Sequence, residues 1–517
     1  MFDCRRTVER DSGVNNKRYK ELQEKKMHWD FSKMIDIFSN ESDGQLLLNG
    51  KWGLEEEALR VTPDGALALT PHPSAFGDKI ANPYVTTDFS ESQMELITPA
   101  FDTIEGMYSF LGSLKDDVNN ALRGEMLWPQ SMPGPLPADD LIPIARYGNT
   151  DDGKLKEIYR SGLALRYGKK VQMVSGIHYN FSFQDAFWKK LMNDLAITSE
   201  KQRFINDAYV GLVRNILRYR WLLIYHFGAS PLTDDTYHTD ATEKPGIHNC
   251  YKGSASAFGN CTRHATSLRM SRFGYENGFQ GKLSVSYNSL DEYIRDIRNI
   301  LLTKNESYSK LGLFRDGRQI QLNDHLLQLE NEFYSPVRFK QIPENGETQL
   351  DALEHRGVDY LELRAFDLNP FDQNGISLEQ LYFTHVFILF CLFEPSGNLS
   401  IEDVAQIDLN AHKTALTGRS DSLMLNRANG HEVSIQQWGT EITDKLRKIA
   451  RLLDRSTGDA VYEESVENQY KKIMNNSLLP SSRMIEEMKI NNESFVSFNL
   501  RKARENSGLT SMNQAAC

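Results

Sequence analysis

Three short segments place carboxylates among apolar residues, where an acidic side chain is costly. They are Gly-Leu-Glu-Glu-Glu at 53–57, Thr-Asp-Phe-Ser-Glu-Ser-Gln-Met-Glu at 87–95 and Tyr-Leu-Glu-Leu-Arg at 360–364. A carboxylate that leaves water needs a cation or a hydrogen-bond donor to compensate it. Divalent metal ions meet that need, and carboxylates that collect hard cations are typical of phosphate chemistry. The three segments therefore predict a site for several metal ions that acts on phosphates.

The alternation of the third segment predicts which of its side chains lie together. Successive side chains of a strand point to opposite faces, so Tyr360, Glu362 and Arg364 share one face while aliphatic residues fill the other. An acid and an arginine side by side suit a site that binds a metal and a phosphoryl group. A surface cross-strand ion pair, worth about 0.2–1 kcal/mol, explains this segment equally well.

The other segments follow the same design. In Ser-Gly-Ile-His-Tyr-Asn-Phe-Ser-Phe at 175–183, His178 lies on a polar face opposite an aromatic one. It is either a structural histidine or a metal or phosphate contact. Glu55 and Glu57 share one face of their strand, Glu56 takes the other, and Glu95 lies in a half-buried stretch.

The usual phosphate-binding motifs are missing from the sequence. It contains no Gly-x-x-x-x-Gly-Lys-Ser/Thr run and no Gly-x-Gly-x-x-Gly after a strand. Metals and arginines would then hold the phosphates of a bound nucleotide. An alternative zinc site could use His248, Cys250, Cys261 and His264, although their spacing fits no common zinc motif.

The elements that must position these residues follow from periodicity and turn signals. Amphipathic and apolar patterns predict helices at 104–123, 201–226, 290–303, 377–393 and 434–455. Strands are predicted at 49–61, 90–98, 171–183 and 358–368. Helices do not alternate regularly with these strands, so antiparallel connections are favoured over parallel units. The proline-rich passage at 127–137 is predicted to be a rigid loop, either a connector or part of a site.

Composition narrows the class of protein. The chain has 517 residues, 40% of them hydrophobic, which is enough for a substantial core. A net charge of −11 argues against nucleic-acid and anionic-membrane partners. The longest apolar run, 386–393, is too short to span a bilayer and is predicted to be a buried core helix. The sparse, odd number of cysteines and the absence of an apolar signal segment favour the cytoplasm.

Many motifs, in order from about residue 48 to 372, closely resemble those of the bacterial glutamate-cysteine ligases. Besides the three acidic segments and Ser-Gly-Ile-His-Tyr-Asn-Phe-Ser, they include Leu-Trp-Pro-Gln-Ser-Met-Pro, Phe-Gly-Ala-Ser-Pro, Ala-Thr-Ser-Leu-Arg-Met-Ser, Glu-Asn-Glu-Phe-Tyr-Ser-Pro-Val-Arg and the run to Ala-Phe-Asp-Leu-Asn-Pro-Phe. The resemblance implies an α+β, glutamine-synthetase-like fold, in which a curved antiparallel sheet forms an active-site funnel surrounded by helices. It also implies a relation to the N-terminal module of bifunctional glutathione synthases, but only the first of their two reactions.

That reaction is the ATP-dependent ligation of the L-glutamate γ-carboxylate to the L-cysteine amine through a γ-glutamyl phosphate, the first step of glutathione biosynthesis. The resemblance implies Mg²⁺, with Mn²⁺ as an alternative ion, and ATP as co-substrate. The small molecules L-glutamate, L-cysteine and ATP are the expected partners. Two alternatives stay open: a ligase of the same fold that joins glutamate to another amine, and a metal-dependent phosphohydrolase.

The resemblance also implies roles for individual residues, carried over position by position. The metal ligands implied are Glu55, Glu57, Asp88, Glu95, His178 and Glu362. Arg364, Glu362 and His178 are the implied catalytic residues, with Arg364 facing the transferred phosphoryl group. The implied substrate-binding residues are Phe89, Tyr159, Arg160, Leu163, Gln172, Arg269, Tyr275 and Tyr334. Arg269 is expected to meet the cysteine carboxylate and Arg160 to contact glutamate.

The chain is predicted to divide into a polar N-terminal extension at 1–33, a catalytic domain at 34–500 and a loose C-terminal tail at 501–517. The first part is rich in Lys, Arg and Glu, and the last ends in small and polar residues. No linker between these limits is evident, which predicts one large catalytic unit. Glu56 and Glu91 are interpreted as acids that do not take part in the chemistry.

Overall fold

A seven-stranded antiparallel sheet organises the molecule. The computed structural model describes residues 29–237, 263–274, 283–344 and 346–507. The strand order is β2-β3-β1-β5-β9-β8, and β4 pairs with β1 beside this path. The strands of this sheet are β1 Gly50–Val61, β2 Val85–Thr87, β3 Gln93–Ile97, β4 Met126–Leu127, β5 Ile177–Phe183, β8 Val337–Lys340 and β9 Tyr360–Phe366. Two small hairpins use β6 Phe314–Arg315 with β7 Arg318–Gln319, and β10 Met424–Asn426 with β11 Glu432–Ser434.

Helices surround the sheet and carry most of the core. Those described are α1 Phe31–Ile37, α2 Glu41–Leu48, α3 Ile104–Ala121, α4 Asp151–Tyr167, α5 Asp185–Asp194, α6 Lys201–Phe227, α7 Leu290–Leu302, α8 Glu306–Leu311, α9 Gln349–Arg356, α10 Leu378–Phe393, α11 Ile401–Thr417, α12 Ile435–Thr457, α13 Val461–Met474, α14 Pro480–Ile490 and α15 Phe495–Asn506. Helix α10 is buried continuously from Gln380 to Phe393, which confirms the predicted core helix. Ser377 and Ser434 cap α10 and α12 through their side chains, as expected of serine at a helix start.

All five predicted helices are confirmed, and all the ladders of the sheet are antiparallel as predicted. The strand predicted over 171–183 was too long at its start. Lys170–Met173 forms a short 3-10 turn, and the strand begins only at Ile177. Gly176, the residue before the strand, packs closely against Arg269: a Cβ there would lie 2.1 Å from Nη2 of Arg269.

Helical residues extend past both predicted limits of the catalytic domain. Trp29 and Phe31 are buried in the main hydrophobic core, so residues at the end of the predicted extension are part of the packed structure. Helix α15 continues to Asn506, beyond residue 500, and Ala503 is buried. Packed residues therefore lie just outside both predicted limits, and the division into domains stays a prediction. None of the helices among the described residues is long and apolar enough to cross a membrane.

Candidate active site

One face of the sheet carries a row of acidic and basic side chains that crosses five strands. The strand register builds this row. Glu57 of β1 lies opposite Glu95 of β3, and Glu55 lies opposite His178 of β5. On the far side, Asn180 of β5 and Arg338 of β8 both lie opposite Glu362 of β9. Because side chains alternate along each strand, residues two apart stay on this same face. We call this set of side chains the acidic row.

Glu55, His178 and Glu362 form the centre of the acidic row. His178 Nδ1 lies 3.1 Å from Glu55 Oε2 and 3.5 Å from Glu362 Oε1, and His178 Nε2 lies 3.6 Å from Glu57 Oε1. Asn180 Nδ2 donates to Glu55 Oε1 at 2.8 Å. One ligand atom from each of Glu55, His178 and Glu362 falls within 4.8 Å of the others, a spacing that could hold a metal ion. The two glutamates and the histidine predicted from separate segments therefore do come together.

Cations surround Glu362 at the β8 end of the row. Arg364 Nη1 donates to Glu362 Oε1 at 2.6 Å, and Lys340 Nζ lies 3.3 Å from Oε2. Burial opposes ionisation of Glu362, but Arg364, Lys340, Arg338 and His178 together hold the pKa of this carboxyl well below its usual range. Glu362 is only 2% exposed, which excludes the alternative of a surface ion pair.

Acids outnumber cations at the β3 end of the row. Burial and the neighbouring Asp88, Glu55 and Glu57 raise the pKa of Glu95 well above its ordinary value. Burial also raises the pKa of Glu57, and Asp88 adds to the effect. Like charges that converge in a buried place disfavour ionisation unless a cation enters. The predicted acids Asp88 and Glu95 thus belong to the same cluster as Glu55 and Glu57.

Glu56 and Glu91 lie outside this cluster, as predicted, and each has its own cation. Glu56 points to the opposite face of β1, where Lys115 Nζ donates to its Oε1 at 2.7 Å. Glu91 pairs with Lys79 and accepts backbone N–H bonds from His72 at 2.8 Å and Arg146 at 2.6 Å. Both acids therefore have a structural explanation.

The predicted substrate residues lie on segments that flank the acidic row. Arg269 is 1% exposed and donates from Nη2 to the backbone oxygen of Arg364 at 3.0 Å. The Tyr334 hydroxyl lies 3.7 Å from Sδ of Met270, the residue after Arg269. Phe89 is buried directly after Asp88. Tyr275 lies outside the described residues, as do His248, Cys250 and Cys261 of the zinc alternative.

Helix α4 carries Tyr159, Arg160 and Leu163, and Gln172 lies in the turn that follows it. Arg160 donates from Nε to the backbone oxygen of Asp88, which places this helix beside the β3 end of the row. Leu163 packs against the smaller of the two main hydrophobic clusters. These contacts bring the α4 residues to the row, and their binding roles stay predictions.

A buried ion pair fixes α4 to the segment that leads to Tyr334. Arg166 Nη1 lies 3.1 Å from Glu332 Oε1, and both side chains are almost completely buried. Tyr167 Oη donates to the same oxygen at 2.6 Å. Gln328 Nε2 donates to the Tyr159 backbone oxygen at 3.2 Å, against a helix surface kept free of side chains by Gly162. Arg166 and Glu332 therefore set the spacing between two sides of the expected cysteine pocket.

Sequence reasoning missed Arg338 and Lys340 as members of the row. The signal was present in Val-Arg-Phe-Lys at 337–340, where basic and apolar residues alternate as in the acidic strands. The segment is short, and only the pairing of β8 with β9 shows that both cations face Glu362. Strand alternation alone places Asn180 on the same face as His178, but its hydrogen bond to Glu55 depends on the register of β5 with β1.

A mixed fold of helices and antiparallel strands, with buried acids and arginines gathered on one sheet face, defines an enzyme that handles anionic substrates. Residues 35–414 match the family model described as glutamate-cysteine ligase, and the chain belongs to this family. The glutamate-cysteine ligase of Clostridium acetobutylicum is 49% identical over 479 residues, with 92% of this chain and 100% of that protein covered. The Pseudomonas putida enzyme is 40% identical over 452 residues, covering 87% and 85%.

Solved structures agree with this family. The glutamate-cysteine ligase of Francisella tularensis in complex with AMP has a TM-score of 0.79 and 32% identity, with 89% of each chain covered. A bifunctional glutathione synthetase from Pasteurella multocida has a TM-score of 0.70 and 28% identity, covering 92% of this chain and 54% of that one. The chain is therefore an ATP-dependent ligase of L-glutamate and L-cysteine, which carries out the first step of glutathione biosynthesis.

Proposed function

We propose that the acidic row is the place where ATP phosphorylates the γ-carboxylate of glutamate and where the amine of cysteine then displaces the phosphate. The sheet would form the wall of a glutamine-synthetase-like funnel. A carboxylate and an amine do not condense in water without activation, so a site must first bring anionic phosphates next to an anionic carboxylate. The observation that carries the proposal is the convergence of Glu55, His178 and Glu362 beside Arg364.

The donor atoms of the row fit Mg²⁺, or Mn²⁺ in its place. The carboxylates of Glu55, Glu57, Asp88, Glu95 and Glu362, with the His178 imidazole, would hold the ions. Burial raises the pKa of Glu95, and the converging carboxylates Asp88, Glu55 and Glu57 raise it further; a hard cation, which prefers carboxylate oxygen, would relieve this repulsion. When bound, Mg²⁺ neutralises charge on the phosphates and on the group being transferred.

The cations at the β8 end would meet the transferred phosphoryl group. Arg364 offers a planar fork of N–H donors and is held in place by its bond to Glu362. Arg338 and Lys340 add positive charge on the adjacent strand. Because these groups are largely buried and already oriented, little reorganisation is needed as negative charge develops.

The cysteine would bind between α4 and the segments that carry Arg269 and Tyr334. Phe89, Tyr159, Leu163, Gln172 and Tyr334, with Tyr275 from outside the described part, would line a pocket for a small uncharged side chain, and Arg269 would bind the carboxylate. Discrimination against an analogue one methylene larger is expected to be modest, about 1–3 kcal/mol. Equal efficiency with cysteine and with phenylalanine would contradict this pocket.

An assay of ADP formation tests the reaction. ADP release should require Mg²⁺, glutamate and an amine acceptor together, with cysteine the best of a panel of amino acids. A phosphohydrolase would release ADP without the acceptor, and a ligase for another amine would prefer a different member of the panel. Either result would overturn the proposal, and mass spectrometry of γ-glutamylcysteine identifies the product directly.

A further inference from the structure

A buried carboxylate, Asp367, follows directly after β9 and is not part of the acidic row. It is 2% exposed and accepts three hydrogen bonds. The Ala229 N–H and the Ser230 hydroxyl donate to its Oδ2 at 2.9 and 2.7 Å, and the Ser267 hydroxyl donates to its Oδ1 at 3.0 Å. Both serines are buried. Asp367 therefore joins two segments that are distant in sequence to the end of β9.

The charge of Asp367 fixes the direction of these hydrogen bonds. Because an ionised carboxylate only accepts, both serine hydroxyls donate to it and keep their lone pairs for other donors. The Arg269 N–H donates to Ser230 Oγ at 3.4 Å, and the Met270 N–H donates to Ser267 Oγ at 3.1 Å. An amide in place of the carboxylate can donate as well as accept, so it does not fix either hydroxyl. The carboxylate thus holds the backbone of Arg269 and Met270 through two serines.

The guanidinium of Arg269 is held by separate contacts. Its Nη2 donates to the Arg364 backbone oxygen at 3.0 Å and packs against Gly176. Its Nη1 lies 3.2 Å from Sδ of Met270, and the Tyr334 hydroxyl lies 3.7 Å from the same sulfur. Both ends of the Arg269 side chain are therefore anchored. A guanidinium that is oriented before the substrate arrives binds a carboxylate with a smaller loss of conformational entropy.

A charge at the position of Asp367 is costly to bury. Burial raises the pKa of Asp367, against the effects of Arg269 and of the hydrogen bonds from the serines and Ala229. A link that only held these segments together could use neutral groups, which cost less to bury than a charge. The negative charge has two further effects, because it attracts the cation of Arg269 and sets the direction of the serine hydroxyls.

We propose that Asp367 is a positioning residue for the binding of cysteine, and that it acts on Arg269 through Ser230 and Ser267. The inference rests on the proposed function, in which Arg269 binds the carboxylate of cysteine. Because Asp367 is buried and its oxygens accept from Ala229 and the two serines, its effect on cysteine is indirect.

A pair of matched variants tests this role. Asp367→Asn keeps the shape of the side chain and removes its charge. Asp372→Asn is the control, because burial also raises the pKa of Asp372, which lies five residues further along and accepts from Asn369 instead of the serines. Circular dichroism and thermal melting establish that both variants are folded.

Asp367→Asn should raise the KM for cysteine about 10- to 100-fold, since a small displacement of a binding group is enough for such a loss. The KM values for glutamate and ATP should change less than about threefold. Asp372→Asn should keep the parent's KM for cysteine. An unchanged KM for cysteine in Asp367→Asn would overturn the proposal, and so would equal rises for all three substrates, which indicate a general structural role.

A double-mutant cycle tests whether Asp367 acts through Arg269. Arg269→Met removes the guanidinium and should itself raise the KM for cysteine. In that background Asp367→Asn should change this KM less than about threefold, because the group that it positions is already gone. Effects of the two substitutions that multiply independently would overturn the proposal.

A cysteine analogue without the carboxylate sharpens the test. Cysteamine keeps the amine and the thiol, so it serves as an acceptor or as a competitive inhibitor against cysteine. Asp367→Asn should weaken binding of cysteine but not of cysteamine, which shrinks the parent's preference for cysteine about 10-fold or more. Equal weakening of both ligands would assign Asp367 a role unrelated to the carboxylate and overturn the proposal.

Ser267→Ala provides the test if Asp367→Asn does not fold. It removes one of the two serine links and leaves the carboxylate with its bonds from Ala229 and Ser230, so the KM for cysteine alone should rise about three- to tenfold. An unchanged KM would overturn the proposal. Failure of the parent to make γ-glutamylcysteine, or a normal KM for cysteine in Arg269→Met, would instead contradict the proposed function. A normal Asp367→Asn beside an impaired Arg269→Met would overturn only the role of Asp367, so the two failures are distinguishable.

Discussion

The two faces of β1 treat adjacent glutamates differently. On one face, Glu55 and Glu57 meet His178, Asp88, Glu95 and Glu362, and acids outnumber the bases at the β3 end. On the other face, Glu56 is 1% exposed and meets one cation, Lys115. The three residues are identical in type and consecutive in sequence. Burial raises the pKa of Glu56 as well, against the effect of Lys115, so the faces differ in their neighbours: one cation meets Glu56, whereas Asp88 and Glu95 add negative charge beside Glu57.

A balanced buried pair is weak evidence for function. Such pairs contribute little net stability, although breaking one is costly because the partner is left as an isolated buried charge. An unbalanced buried cluster is stronger evidence, because the fold bears an electrostatic cost that a ligand can relieve. Residue type and burial do not separate the two cases, so the number and sign of the neighbouring charges must be known. The predictions below test this distinction.

Substitutions in the acidic row should have the largest effect on activity. Glu362→Gln and Arg364→Ala should each lower kcat by about 10²–10³-fold or more, since each removes a preorganised charge at the transferred phosphoryl group. The fold should persist with a lower free energy of unfolding, since each change leaves buried charges of the ion-pair network around Glu362 without a partner. Steady-state assays of ligation and circular dichroism check both statements. Near-normal turnover in either variant would refute its catalytic role.

Breaking the ion pair between Glu56 and Lys115, on the opposite face of β1, should lower stability instead of activity. Lys115→Met leaves Glu56 as an unpaired buried carboxylate and should lower the free energy of unfolding by about 3–5 kcal/mol. The double variant Glu56→Gln/Lys115→Met should recover a large part of this loss. Lys189→Met, which breaks an exposed pair with Asp185, is the control and should cost no more than about 1 kcal/mol. Denaturant unfolding measures all three, and a small effect of Lys115→Met would contradict the distinction between the faces.

Metal binding should stabilise the protein through the face of β1 that carries Glu55 and Glu57, and not through the face that carries Glu56. At an Mg²⁺ concentration about 100 times its dissociation constant, the free energy of unfolding should rise by about 2.7 kcal/mol. The corresponding rise in melting temperature should disappear on chelation and shrink in Glu57→Gln. Glu56→Gln should keep the full rise, although its own baseline is lower. If both variants responded equally to Mg²⁺, the assignment of Glu57 as a ligand would be wrong.

A histidine outside both faces of β1 should give the smallest effect. Both ring nitrogens of His72 are buried without a hydrogen-bond partner in the described part of the chain. Burial, with Lys79 nearby, lowers the pKa of His72 from 6.5 to about 4.

Below pH 6.5 the His72 side chain therefore binds a proton in the unfolded chain but not in the folded one. The free energy of unfolding consequently falls as the pH is lowered from 6.5 to 4. His72→Gln should remove about 1 kcal/mol of that pH dependence, because His72 is partly exposed to solvent. Thermal melting of the two proteins across this pH range provides the measurement. Parallel pH profiles would contradict the lowered pKa.

Most elements of the fold could be predicted from local patterns. The alternation of Tyr360, Glu362 and Arg364 and the apolar run at 386–393 depend only on neighbours in sequence, and both were predicted correctly. The start of β5 was not: Lys170–Met173 forms a 3-10 turn instead, and the segment before the strand packs against Arg269, about ninety residues further along the chain. Lys340 was missed for a different reason: its strand is too short to be recognised from the sequence alone.

The sequence by itself determined the acids of the row, the faces on which they lie and the family to which the chain belongs, because strand alternation and ordered motifs are local properties. Only the tertiary structure decided which acids share a cluster and which are balanced. Glu56 and Glu57 have the same local pattern, but Lys115 reaches one while Asp88 and Glu95 surround the other. Charge balance depends on distances across strands and helices, and those distances exist only in the folded chain.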